Sequence, residues 1–207
     1  MLLIDDGQPQ STLVIGPQAS WIERRAAEEL RKYLRKMSGA DLPITESAPS
    51  EGTIIAIGRA ESNPVIAQAI DCHLVTLSDS YPGRDGFVIK TVRFDEQDVL
   101  ILGGSMDRGM LYAAYALLEE VLGIGFFRDG ERVPHSPTIE LPDVDISERP
   151  AFAFRADGFI AYSPKFWDMD DWMRELDWKV KHRANQTWPF HVGNDIISTI
   201  MYEWGVV

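Results

Sequence analysis

The sequence predicts an α/β (α+β) chain: a mixed sheet with helices packed mainly on one face, followed by a second, shorter βα segment. Three observations carry this. Apolar runs closed by glycine alternate with two long amphipathic stretches. A proline-bounded break falls near residue 150. Aromatic density rises beyond it, with all but one of the tryptophans at or after Trp167.

Thr12–Ile15 is a short apolar run stopped by Gly16-Pro17, which reads as a strand and a breaker. From Ala19 to Met37, the residues Ile22, Ala26, Leu30, Tyr33, Leu34 and Met37 recur at three- and four-residue steps. That spacing makes one face of a helix, with Glu23, Arg24, Glu28, Arg31 and Lys32 elsewhere on its surface. Ser38-Gly39 supplies a stop, and Pro43 opens an extended piece. Thr53–Gly58 is a continuous apolar run, the pattern of a strand covered on both faces. Phe87–Val92 and Val99–Leu102 are two further strands, with Asp95–Asp98 as the polar turn of a hairpin.

Gly103-Gly104-Ser105 ends the second of these strands, and a helix is predicted from about Met106 to Leu122 with Ser105 as N-cap and Asp107 in its first turn. Ile124–Phe127 is another short strand, and Pro134, Pro137 and Pro142 divide the next stretch of chain into extended segments. Ile146–Pro150 reads as a linker, placing the domain boundary after residue 149.

The charge balance is 20 basic against 32 acidic side chains, a net of −12. Such a surface repels phosphate backbones and anionic lipid headgroups. With no basic patch interleaved with aromatics, nucleic-acid binding is not expected. Cys72 is the single cysteine and cannot form an internal disulfide or a thiolate cluster. The histidines, His73, His135, His182 and His191, lack ligand spacing, so no metal and no cofactor is expected. No apolar run reaches the ~20 residues of a membrane span. The N-terminus MLLIDDGQPQ lacks a basic region, which points to the cytoplasm, although removal of an exported leader would leave the same appearance.

Gly103-Gly104-Ser105 between strand and helix suggests a phosphate loop, but it lacks Gly-Lys-Ser/Thr and the GxGxxG spacing; tight turning explains it. Asp85-Gly86 fits a loop, and Arg84 beside it needs no functional role. Cys72-His73 are sequence neighbours that point to different faces, so both are read as structural.

The stretch GGSMDRGMLYAAYALLEEVLGIGFFRDGERVP, Gly103 to Pro134, resembles the accessory domain that precedes the catalytic barrel in family 67 α-glucuronidases and family 20 β-hexosaminidases. The matching features are Arg108-Gly109, Leu111-Tyr112, Leu117-Leu118-Glu119, Leu122-Gly123, Phe126-Phe127 and Val133-Pro134. They describe a helix docked on a sheet and an aromatic strand returning to the core, and carry no catalytic group. Arg149 to Arg155 resembles the "P-x-F-x-x-R" entry into the first barrel strand of these families. The helix expected from Met169 to Lys181 has Met169, Trp172, Met173, Leu176 and Val180 on one side; its text also resembles the first barrel helix of α-N-acetylglucosaminidases. Asn185 would begin a second barrel strand, and Asp195–Trp204 a second helix.

The resemblance therefore implies the N-terminal portion of a glycoside hydrolase, with residues 150–207 starting a (β/α)8 barrel. Such a barrel needs roughly 250 residues, about 30 per unit; from Arg155 to Val207 there are fewer than two units. The expectation is a truncated barrel, inactive alone, completed by a missing C-terminal part or by a homo-oligomer through its open edge. The families' catalytic carboxylates lie on later strands, so no catalytic residue is assigned. Asp168, Asp170 and Asp171 are read as helix N-terminal acids, Glu175 and Asp177 as exposed or salt-bridged, Arg155 as a structural salt-bridge former, and Asn185 as a partner of backbone groups. Trp188 and His191, at the end of the second strand, are the candidate substrate-binding residues: an indole to stack on a sugar, an imidazole to bond its hydroxyls. Ordinary packing is the competing reading for both. The alternative function is a non-catalytic module that binds carbohydrate or a partner protein.

Overall fold

A computed structural model describes residues 1–94, 96–157 and 167–187. The chain divides into two compact units, Met1–Ala153 and Phe154–Val207. The first unit contains, in order, β1 (Leu2–Asp5), β2 (Gln8–Pro9), β3 (Ser11–Val14), α1 (Trp21–Ser38), β4 (Ile44–Thr45), β5 (Thr53–Gly58), α2 (Pro64–Asp71), β6 (Phe87–Phe94), β7 (Gln97–Gly104), α3 (Asp107–Ala116), β8 (Gly125–Phe127), β9 (Gly130–Arg132), β10 (Ile139–Glu140) and β11 (Asp145–Glu148).

The main sheet is mixed and runs β11-β6-β7-β5-β3-β4. β7, β5, β3 and β4 are mutually parallel, and β6 and β11 add antiparallel strands at one side. Side chains alternate across a strand, so β5 and β7 divide their apolar residues between two layers. Ile54, Ala56, Val99 and Ile101 form one core with Val65, Ile66 and Ala69 of α2. Their neighbours Ile55, Ile57, Leu100 and Leu102 are fully buried on the other face, where α1 and α3 pack against the sheet and each other. Both long helices therefore share one face, as the sequence predicts. The short α2 lies on the opposite face, where the sequence pattern predicts no helix.

α1 starts in a capping box: the Ser20 hydroxyl accepts from the Glu23 N–H, and the Glu23 carboxylate accepts from the Ser20 N–H. It ends at Gly39 in the left-handed conformation. Its apolar face includes Ala26, Leu30, Tyr33 and Leu34, all fully buried. Tyr33 meets Phe126 of β8 edge-on at 5.2 Å between ring centres, and Tyr115 of α3 does so at 5.8 Å. Such pairs contribute about 0.5–1.5 kcal/mol each beyond area burial. The aromatic strand thus returns into the seam between the two helices.

Several local expectations change. Glu23, read from sequence as a surface residue of α1, is fully buried. The hairpin is tighter than a turn over residues 95–98, because the ladder continues to Phe94 opposite Gln97. Ser105 does not cap α3: Met106 occupies the N-cap without a side-chain bond, and the Ser105 hydroxyl donates to the Gly83 carbonyl. The α-helical part of the predicted 106–122 helix stops at Ala116 and passes into a π-helical turn, Leu117–Val121. A π turn admits an extra residue without breaking the helix, a local change that leaves the apolar spacing readable as one helix.

α3 approaches the sheet closely. A Cβ on Gly109 would lie 2.5 Å from the Gly86 carbonyl oxygen and 3.3 Å from the Gly104 Cα. No side chain fits at that crossing, which explains the Arg108-Gly109 step in physical terms.

In the second unit, β12 (Ala156–Asp157) pairs in parallel with β13 (Gln186–Thr187), and α4 (Met169–Lys181) is the crossover between them. Asp168 and Asp171 form a capping box at the start of α4. Glu175 pairs with Lys179 at 3.8 Å and Asp177 with Lys181 at 2.6 Å. Met169 and Met173 are 70% and 58% exposed, whereas Glu175, Lys179 and Lys181 are buried. Among the described residues, no helix is long and apolar enough to cross a membrane.

Candidate functional site

Among the parallel strands β7-β5-β3-β4, β4 is added on one side of β3 and β5 and then β7 on the other, so the winding order reverses between β3 and β5. In open α/β sheets, ligands occupy the crevice outside the carboxyl ends of the strands at such a reversal.

The crevice is filled by the protein's own residues. Asn63 is fully buried. Its Nδ2 donates to the Val14 carbonyl at the end of β3 (2.8 Å) and to the Ile57 carbonyl near the end of β5 (3.0 Å). Its Oδ1 accepts from the Val65 N–H at 3.0 Å, capping α2. The amide thereby ties the two strand ends together and starts a helix with one side chain. Pro64 at N1 loses no hydrogen bond there. Gly16 sits against this segment with φ +54, and a Cβ on it would collide with the Ser62 carbonyl oxygen.

Glu23 seals the same end from the α1 side. Its Oε1 accepts from the Arg59 N–H (3.1 Å), the Arg59 Nε (3.4 Å) and the Ser62 hydroxyl (2.5 Å). Arg59 reaches on to Asp107 of α3, Nη1 to Oδ1 at 3.0 Å. A chain of polar contacts therefore joins α1, the segment after β5, and the first turn of α3. Beside it Asp85, 2% exposed, holds Arg108 through Nε (3.0 Å) and Nη2 (2.9 Å). Asp85 has φ +60, a conformation Asp and Asn tolerate better than most residues. Outside this seal lies an open cleft of about 910 Å³ lined by Ile22, Arg59, Asp79, Arg84, Ser105, Met106, Asp107 and Arg108.

The residues singled out from sequence fall into three groups. Gly103 and Gly104 lie inside β7 rather than in a phosphate-cradling loop. Cys72, exposed, is the C-cap of α2, and His73 follows with φ +58, so the pair ends a helix. In the second unit Asp168 and Asp171 serve the α4 capping box, and Asp171 also pairs with Arg174. Asn185 Oδ1 accepts from the Arg155 N–H at 2.9 Å, and the Arg155 Nε donates to the Arg183 carbonyl at 2.8 Å. Both are therefore tied to backbone, as expected for Asn185. Trp188 and His191 lie outside the described residues, as does the helix expected at 195–204. Sequence reading misses Glu23, Asn63 and Arg59. The first two carry signals: Ser-x-x-Glu ahead of an apolar helix, and Asn-Pro ahead of Val-Ile-Ala.

The larger unit is thus a mixed sheet whose switch point is closed by its own side chains, and the second unit contains a parallel βαβ segment. The chain belongs to the glycosyl hydrolase family 67 N-terminus family, whose model matches residues 7–117. No curated protein matches it significantly. Among solved structures, it is similar to a family GH115 4-O-methyl-alpha-glucuronidase with specificity for decorated arabinogalactans: TM-score 0.69 and 18% identity over 92% of this chain and 26% of that one. It is also similar to the GH20 beta-N-acetylhexosaminidase from Streptomyces coelicolor: TM-score 0.54 and 16% identity over 90% of this chain and 32% of that one. At these identities the likeness is one of fold. The chain spans about a quarter to a third of the length of these enzymes.

Proposed function

We infer that the chain is the structural front end of an enzyme that cleaves glycosidic bonds in an acidic-sugar or amino-sugar polysaccharide, and that it performs no hydrolysis by itself. The observation that carries this is the closure of the switch point by Asn63 and Glu23, which leaves the larger unit a scaffold. Glycoside hydrolysis usually requires two carboxyl groups facing each other across a bound sugar. In this unit Glu23 and Asp85 are committed to buried polar contacts, and Asp107 to Arg59. In the second unit, the carboxylates of Asp168 and Asp171 are committed to starting α4.

The parallel pair β12-β13 with α4 between them is read as the opening of a (β/α)8 barrel, in which Trp188 and His191 would face a sugar. A carbohydrate is the small ligand of this reading, and the cytoplasm its compartment. Assay of the purified 207-residue chain on aryl α-glucuronides and aryl N-acetyl-β-hexosaminides is expected to give no release of the aryl group above the blank. Sustained turnover that purifies with the chain would overturn the reading.

A further inference from the structure

We propose that the cleft outside the sealed switch point binds a hydroxylated carboxylate, the class that includes sugar acids. Three arginines from three separate segments line it: Arg59 after β5, Arg84 in the loop before β6, and Arg108 in the first turn of α3. Two of them are fixed in place. Arg59 is clamped by Glu23 and Asp107, and Arg108 by Asp85 through Nε and Nη2. Each clamp uses two nitrogens of a five-donor fork, so each guanidinium keeps further N–H groups for a ligand. Arg84 is exposed and meets no carboxylate within ion-pair distance among the described residues. Oriented guanidinium groups recognise carboxylates through paired, charge-assisted hydrogen bonds.

The rest of the lining narrows the ligand. α3 begins with no side-chain cap, and Ser105, which could have capped it, is turned to Gly83. A negative group near that end is favoured by the helix dipole. Asp79 also lines the cleft and is exposed. Its carboxylate repels a bare anion but accepts hydrogen bonds from hydroxyl groups. Ile22 and Met106 add apolar surface. Donors for a carboxylate, an acceptor for hydroxyls and an apolar edge together suit a compact molecule carrying both functions. A cleft of about 910 Å³ has room for one. The cleft lies wholly within the first unit, so this inference stands apart from the barrel reading of the second.

The test is calorimetric titration of the 207-residue chain with D-glucuronate, D-glucose and inorganic phosphate in turn. Saturable binding of glucuronate is expected, with glucose and phosphate each at least tenfold weaker. Arg84→Ala, at an exposed position with no ion-pair partner among the described residues, is expected to keep the fold by circular dichroism and to weaken glucuronate binding at least tenfold. Arg84→Lys keeps the charge without the fork, and is expected to fall between the two. Absence of saturable glucuronate binding would overturn the proposal. So would phosphate or glucose binding as tightly, or affinity within twofold of the parent in both Arg84 variants.

Discussion

Replacing Asn63 by alanine is expected to destabilise the chain by about 3 kcal/mol, from two lost buried hydrogen bonds of roughly 1 kcal/mol each and a lost helix cap of about 1 kcal/mol. The Val14 and Ile57 carbonyls each lose the side-chain donor that joins the two strand ends. The Val65 N–H loses its acceptor. Aspartate at the same position separates the two roles. It keeps an oxygen for the α2 cap, where Asp and Asn are nearly equivalent. It replaces the donor, however, with a second oxygen facing two carbonyls. If Asn63 acted only as a cap, Asn63→Asp would be close to neutral. The tie between β3 and β5 predicts instead that it costs at least as much as Asn63→Ala. Urea unfolding midpoints of the three proteins measure this.

The second large effect is expected at Glu23. Glu23→Ala removes the acceptor for four donors: the Ser20 N–H, the Arg59 N–H, the Arg59 Nε and the Ser62 hydroxyl. Ser62 has an alternative acceptor in the Arg59 carbonyl at 3.2 Å, and Arg59 retains Asp107. The loss is therefore expected at the low end of the roughly 3–5 kcal/mol for a buried pair broken outright, about 3 kcal/mol. Glu23→Gln preserves one oxygen for the donors gathered on Oε1 and still suits the fourth position of a capping box. It is expected to retain more than half of the stability lost in Glu23→Ala. Thermal and urea unfolding of both variants check the order. Equal losses would mean that charge, rather than acceptance of these hydrogen bonds, is what Glu23 supplies.

Much of the larger unit is legible in the sequence because its elements are long and regular. β5 is predicted with its observed ends, Thr53–Gly58, since every residue from Ile54 onward is buried and the run is uninterrupted. α1 is predicted by the spacing of Ala26, Leu30 and Leu34, which the sheet covers. The elements that escape are short or depend on a distant partner. α2 has eight residues, too few for a period to stand out, although Asn63-Pro64 marks its start. β1, β2 and β10 form a small sheet of two- to four-residue strands whose pairing joins Leu2 to Glu140, far apart in sequence. Glu23 reads as a surface charge because nothing within α1 reveals that Arg59 and Ser62 will be brought to it. The candidate site obeys the same rule. Its glycine-rich stretch is visible and structural, whereas the polar residues that close the switch point come from segments that meet only in the fold.

Within the residues matched by the family model, packing is tight at the crossing of α3 over β7 and the loop ending in Gly86. There Gly109 admits no side chain and Arg108 is held by buried Asp85.

Residues 1–153, a compact unit closed at its switch point by its own side chains, are expected to fold independently of the second unit. Equilibrium urea unfolding of a 1–153 fragment, followed by near-ultraviolet circular dichroism and tryptophan emission from Trp21, tests this most directly. The expected result is a single cooperative transition with native aromatic dichroism before it. A fragment without fixed aromatic signals, or one that unfolds without cooperativity, would contradict the account.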